Sequence, residues 1–202
     1  MVKKISFEDL LHIEFRWPQK GDKPFVVADN PSDNAAVATS TFGRLVLMIE
    51  GYKKAGDLMV AAAEEDWRDR DILVFPIVFN YRQFLELSLK YQLATYGPTV
   101  GIEPNWNSHK LDALWKEFLM MLKSYDEGFP KEADHHVENI VLEFALADPR
   151  SFSHRYPVDP KGTKIEVAFN AIDLSNLAKI MNALESYFSG CDGLLSSLKD
   201  AC

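Results

Sequence analysis

Residues 81–90 read YRQFLELSLK, inside a longer apolar run, ILVFPIVFNYRQFLELSLKYQLATYG (72–97). Arg82, Glu86 and Lys90 recur in it at intervals of four. At about 100° per residue, Arg82 and Glu86 share a side with Phe75 and Leu93, while Ile77, Tyr81, Phe84 and Leu87 occupy the others. A helix that is apolar nearly all round is a buried, central one. Its charges then have two readings. In the first they form a ladder of i,i+4 pairs, Arg82–Glu86 and Glu86–Lys90. Such pairs contribute only about 0.3–0.5 kcal/mol each when exposed, and their charges demand partners when buried. In the second they line a polar pocket with His109, Arg155 and Tyr156 from later segments, suited to a phosphate-like anion or a nucleotide.

Working outward, the spacing predicts a helix on either side. Upstream, Phe42, Leu45, Val46, Ile49, Tyr52, Gly56, Met59, Val60 and Ala63 recur at helical steps over residues 40–64. The central helix runs from 71 or 75 to 96, with Pro76 expected near its first turn and Gly97-Pro98 as its stop. After the loop GPTVGIEPNWNS, a third helix is expected behind a Ser108 cap, burying Leu111, Leu114, Trp115, Phe118 and Leu122. A fourth covers 131–147 with Val137, Ile140, Val141 and Phe144 inward, and Asp148-Pro149 ends it. SFSHRYPVDPKGTKIEVAF (151–169) reads as two extended runs around a Pro/Gly turn, hence a small β-hairpin. The last helix begins near Asp173, and Leu174, Leu177, Met181, Leu184, Phe188, Cys191, Leu195 and Leu198 alternate steps of three and four.

The expected fold is all-α: an antiparallel bundle of four to five helices, with the hairpin before the last helix. Residues 1–38, rich in Pro, Asp and Asn, are expected as an irregular N-terminal arm. It would carry a short helix over 7–15 and pack its aromatics on a body of residues 39–202.

The bulk chemistry narrows the function. A net charge of −8 over 202 residues argues against strong non-specific nucleic-acid binding. Two cysteines, one of them C-terminal, make no disulfide framework. The N-terminus is too interrupted by charge for a signal peptide, and no long uncharged apolar window suggests a membrane span. A cytoplasmic protein is the expectation. The chain contains none of the phosphate-binding glycine motifs or the serine-nucleophile elbow. ADHHVENI (133–140) carries Asp134, His135, His136 and Glu138, but adjacent histidines diverge by about 100° on a helix, so no metal site is expected there. No cofactor is expected either.

A resemblance rests on order and spacing. GYKKAGDLMV (51–60) and DILVFP (71–76) precede YRQFLELSLK; HKLDALW (109–115) and DPRSFSHRYPVD (148–159) follow it. The series resembles the HEPN-like superfamily of helical bundles, over about residues 40–200, in an uncharacterised bacterial branch. The resemblance implies a bundle that is often a homodimer, with links to RNA cleavage, toxin–antitoxin and defence systems, a protein partner such as an antitoxin, and nucleotide binding. Nucleases of that superfamily carry R-x(4–6)-H on a late helix. The nearest match is Arg150-SFS-His154, with three residues between and just past the expected helix end. Arg150 and His154 are therefore the weak catalytic candidates, and the chain leans away from being an enzyme. The leading expectation is a non-catalytic binding or assembly module. The alternatives are a metal-independent RNase with an atypical Arg/His site, and an anion or nucleotide pocket on the central helix.

Overall fold

The computed structural model describes residues 16–149 and 151–200. The helix expected over 7–15, Arg150 and Cys202 fall outside the described residues. The chain divides into two units, Met1–Val37 and Ala38–Cys202. Of the first, residues 16–37 are irregular except for a 3-10 turn, Pro31–Asp33. Asn30 caps that turn through Ser32 N, and Asn34 bonds both the N–H and the carbonyl of Ala28, at 2.8 and 3.0 Å. These are the side-chain-to-backbone bonds that Asn makes in turns.

The second unit holds five α-helices among its described residues: α1 (Thr41–Glu65), α2 (Asp69–Tyr96), α3 (Leu111–Tyr125), α4 (Glu132–Ala147) and α5 (Leu174–Lys199). Ser40 caps α1 through Gly43 N, and Asp173 caps α5 through Asn176 N, each satisfying an N–H that the first turn leaves free. α3 begins two residues later than a Ser108 cap would place it. Lys110 occupies the cap position, and Ser108 Oγ instead accepts Lys110 N at 3.3 Å. α2 starts at Asp69, so Pro76 lies two turns inside it rather than at its start. The proline removes the N–H that would meet the Ile72 carbonyl, and the helix continues past it into the buried stretch that begins at Ile77.

α2 is the axis of the bundle, packed against α1, α3 and α5. Ile77, Tyr81, Leu85, Leu89 and Leu93 are fully buried, as a helix apolar all round requires. By length and composition the stretch Asp69–Val100 is apolar enough to cross a membrane, and half of that window is buried inside the bundle.

Contacts set the directions. Ala63 meets Arg70 and Gly56 meets Tyr81, so α1 and α2 form an antiparallel hairpin across a three-residue connection. The Gly56–Tyr81 approach is close: a Cβ at Gly56 would stand 2.4 Å from the Tyr81 ring, and the Tyr81 hydroxyl donates to Asp57 at 2.8 Å.

α3 is different. Its start lies beside Arg82, where Nη2 reaches the His109 carbonyl, and its end lies beside Tyr96, whose carbonyl takes the Tyr125 hydroxyl. α3 therefore runs in the same direction as α2, and the segment between them doubles back along α2. α5 is also parallel to α2, with Gln92 Nε2 on the Phe188 carbonyl and the Tyr96 hydroxyl on Asp192. The bundle is thus not uniformly antiparallel. A long crossover connection permits parallel neighbours, and residues 97–110 are one.

The predicted hairpin does not form. Among the described residues there is no strand, only a single antiparallel bridge between Val158 and Lys164. Pro157 and Pro160 lack N–H donors and stop a ladder from growing. The Asp159 carboxylate instead accepts Lys161 N and Thr163 N, both at 2.8 Å, holding a local turn.

Candidate functional site

The charged stripe is buried. The Arg82, Glu86 and Lys90 side chains are 0%, 2% and 5% exposed. Arg82 Nη1 donates to Glu86 Oε2 at 3.0 Å, and Lys90 Nζ donates to Glu86 Oε1 at 2.9 Å. His109 Nδ1 stands 2.8 Å from the same Oε1. An ionised carboxylate only accepts, so Nδ1 carries the proton and donates.

The cations also serve backbone carbonyls. Arg82 Nε donates to the Asp148 carbonyl at 2.9 Å and Nη2 to the His109 carbonyl at 2.6 Å; Lys90 donates to the Trp106 carbonyl at 3.1 Å. The helix reads 82, 86, 90 while the crossover reads 109 to 106 alongside it. The stripe therefore clamps the returning chain, and it also holds the chain that leaves α4 at Asp148.

Asp148 completes the balance, so that two cations face two carboxylates. Its Oδ2 lies 3.9 Å from Arg82 Nε and 3.8 Å from His154 Nδ1, and its Oδ1 accepts Phe152 N at 2.6 Å and Ser153 N at 3.0 Å. Burial alone pushes the Asp148 carboxyl up. His154, the two N–H donors and Arg82 outweigh it and hold the group down at about 2. Glu86 follows the same logic: burial pushes it up, and Lys90, His109 and Arg82 bring it below the ordinary carboxylate range.

The structure thus brings together four of the expected pocket residues, Arg82, Glu86, Lys90 and His109, and leaves the other two outside. Arg155 bonds the Ser151 carbonyl at 2.6 Å and lies over the rings of Phe79, Phe152 and Tyr156. Of the stripe only His109, with its ring 61% exposed, reaches a surface hollow, formed with Asn105, Asn107, Ser108 and Lys110. Among the described residues Arg82 and Lys90 are buried, and their charged ends face Glu86 and carbonyl groups.

His154 stands at a second place. Its side chain is 7% exposed, Nδ1 has no hydrogen-bond partner among the described residues, and the ring lines a cavity of about 580 Å³. Glu64, Arg70, Asp71 and Phe75 line the same cavity, with Ser175 at the start of α5. Ser175 Oγ donates to Glu64 across it. The ring faces Asp148 on one side and this cavity on the other.

The Asp/His cluster on α4 is dispersed. Asp134 turns inward to the Tyr187 hydroxyl at 2.6 Å. His135 and His136 lie toward Glu138 and Glu132, at 3.9 and 3.8 Å. Among the described residues no group of three or more His, Cys, Asp or Glu side chains is placed to hold a metal.

Sequence reasoning missed Asp148, reading Asp148-Pro149 only as a helix stop. The signal was local: an aspartate just past a helix end, followed by a polar turn, is a residue whose side chain collects backbone N–H groups. Comparison of the chain with protein-family models, curated proteins and solved structures finds no match.

Proposed function

We propose that the chain is a HEPN-like binding or assembly module in which the charged stripe of the central helix has no catalytic or ligand-binding role. One observation carries this reading. The Arg82–Glu86–Lys90–His109 cluster, the best polar candidate in the sequence, is spent on the protein's own carbonyls and carboxylates. A cation already paired and desolvated gains little from an incoming anion. The charges act as a clamp on the crossover, so the surface of the bundle is left to carry function. The homodimer, the antitoxin-like partner and the toxin–antitoxin or defence setting are parts of this reading that rest on the motif resemblance.

The test is direct. Single-stranded and structured RNA are incubated with the protein at high concentration, with and without EDTA, and nucleotides are screened by thermal shift. Intact RNA and an unmoved melting temperature are expected. A nucleotide shift that disappears in Lys90→Ala would restore the pocket reading.

A second reading has one specific observation in its favour. His154 sits between a buried carboxylate and a cavity, as a general base is held. Metal-independent RNA cleavage that is lost in His154→Ala would decide for an RNase.

A further inference from the structure

We infer that the groove between α1, α2 and α5 docks a cationic amphipathic helix of a partner protein. The inference rests on the binding-module reading and names the chemistry of its partner. The groove has a volume of about 290 Å³. Ile49, Phe84 and Phe188 supply its apolar lining, and Glu50, Glu185 and Asp192 stand around them. Among the described residues no Lys or Arg lines it. Lys53, three residues along α1 from Glu50, is 4% exposed on its side chain and is spent on Asp57, Asn182 and Glu185.

The polar wall asks for donors. Gln92, 2% exposed, donates Nε2 to the Phe188 carbonyl at 3.1 Å, and its own carbonyl oxygen has no partner among the described residues. Glu185 is shared with Lys53 and Asp192 accepts the Tyr96 hydroxyl, and together with Glu50 they leave this part of the groove with net negative charge. Its complement is positive, rich in N–H, and apolar along one side.

The size and the surroundings point to a peptide. Small-molecule sites run from about 300 to 1,000 Å³, so this groove accommodates one or two side chains. Its apolar surface continues along α1 through Val46, which lines the groove at 37% exposed, to Phe42, one turn earlier at 51%. The sequence pattern placed both among the apolar residues that recur at helical steps, and the fold leaves them exposed. A groove continued by an exposed apolar strip is the kind of surface into which an amphipathic helix lays its apolar face. The chain's net charge of −8 favours the approach of a basic partner.

The probe is a labelled amphipathic helix of leucine and lysine, with a matched peptide carrying glutamate for lysine, titrated into the full chain at physiological salt by fluorescence anisotropy. Binding of the lysine peptide is expected, with the glutamate peptide at least about tenfold weaker. Val46→Ser and Glu50→Lys should each weaken binding by about tenfold, and Glu132→Lys, an exposed site on α4, should leave it unchanged. Equal loss in Glu132→Lys and Glu50→Lys would overturn the inference in favour of diffuse charge attraction. A peptide that does not bind, together with a dimer in sedimentation that Val46→Ser dissociates, would overturn it in favour of a second copy. RNA cleavage would undo the binding-module reading and leave the peptide result standing, so the two failures are distinguishable.

Discussion

Arg82 and Glu86 lie one turn apart on α2, with Nη1 donating to Oε2 at 3.0 Å and side chains 0% and 2% exposed. At the surface such a pair would contribute a few tenths of a kcal/mol. Here the carboxylate is also held by Lys90 and His109, while Arg82 reaches two carbonyls from distant segments. The pair matters through what it holds: the crossover that sets the direction of α3, and the chain leaving α4.

Glu86→Ala strands two buried cations. Removing one partner of a buried pair typically costs about 3–5 kcal/mol, and a loss of that size is expected by urea unfolding. A loss below about 0.5 kcal/mol is the behaviour of an exposed pair and would contradict the burial described above.

Lys90→Met removes the bonds to the Trp106 carbonyl and to Glu86 Oε1 while filling the same space, and leaves Arg82 and His109 to hold the carboxylate. Hydrogen exchange in residues 101–110 should speed up by about tenfold, equal to about 1.4 kcal/mol of lost local stability, while exchange in α4 stays as it was. Uniform acceleration across the chain would mean that the clamp acts on global rather than local stability.

Acid should weaken the fold through Asp148 and Glu86. Both carboxyls titrate lower folded than unfolded, with Asp148 moved from its ordinary 3.8 to about 2. Their contribution is therefore fully present above the unfolded value and lost as pH falls through the folded one. Unfolding free energy should lose about 2 kcal/mol from Asp148 between about pH 4 and pH 2. Asp148→Asn should flatten that part of the profile, and an unchanged slope would remove Asp148 from the account.

Gly56→Ala places a methyl 2.4 Å from the Tyr81 ring. Overpacking of this kind costs about 1–3 kcal/mol. The expected cost falls when Tyr81→Leu accompanies it, with a coupling of about 1 kcal/mol in a double-mutant cycle. Additive effects would show that α1 and α2 separate freely at this point.

Much of the helical architecture was readable from pattern. The unbroken steps of three and four from Leu174 to Leu198 placed the inner face of α5, and Leu111 to Leu122 placed that of α3, because a helix repeats its face within a few residues. The extent of α2 was less clear. Pro76 suggested a start at 71 or 75, whereas the helix begins at Asp69 and runs through the proline. The hairpin failed for a related reason: alternation alone cannot build a ladder where Pro157 and Pro160 remove donors and the Asp159 carboxylate holds the turn.

The grouping at 82, 86 and 90 follows from helical spacing alone, since residues four apart share a face. Whether that face met water, a ligand or more protein depended on where the chain after Gly97 went. No local pattern encodes that path, because the partners are the carbonyls of Trp106, His109 and Asp148, and a backbone carbonyl has no signature in the residue it belongs to. The identities of Arg82, Glu86 and Lys90 belong to sequence. Their neutrality, their burial and their use as a clamp come from segments brought together only when the bundle closes.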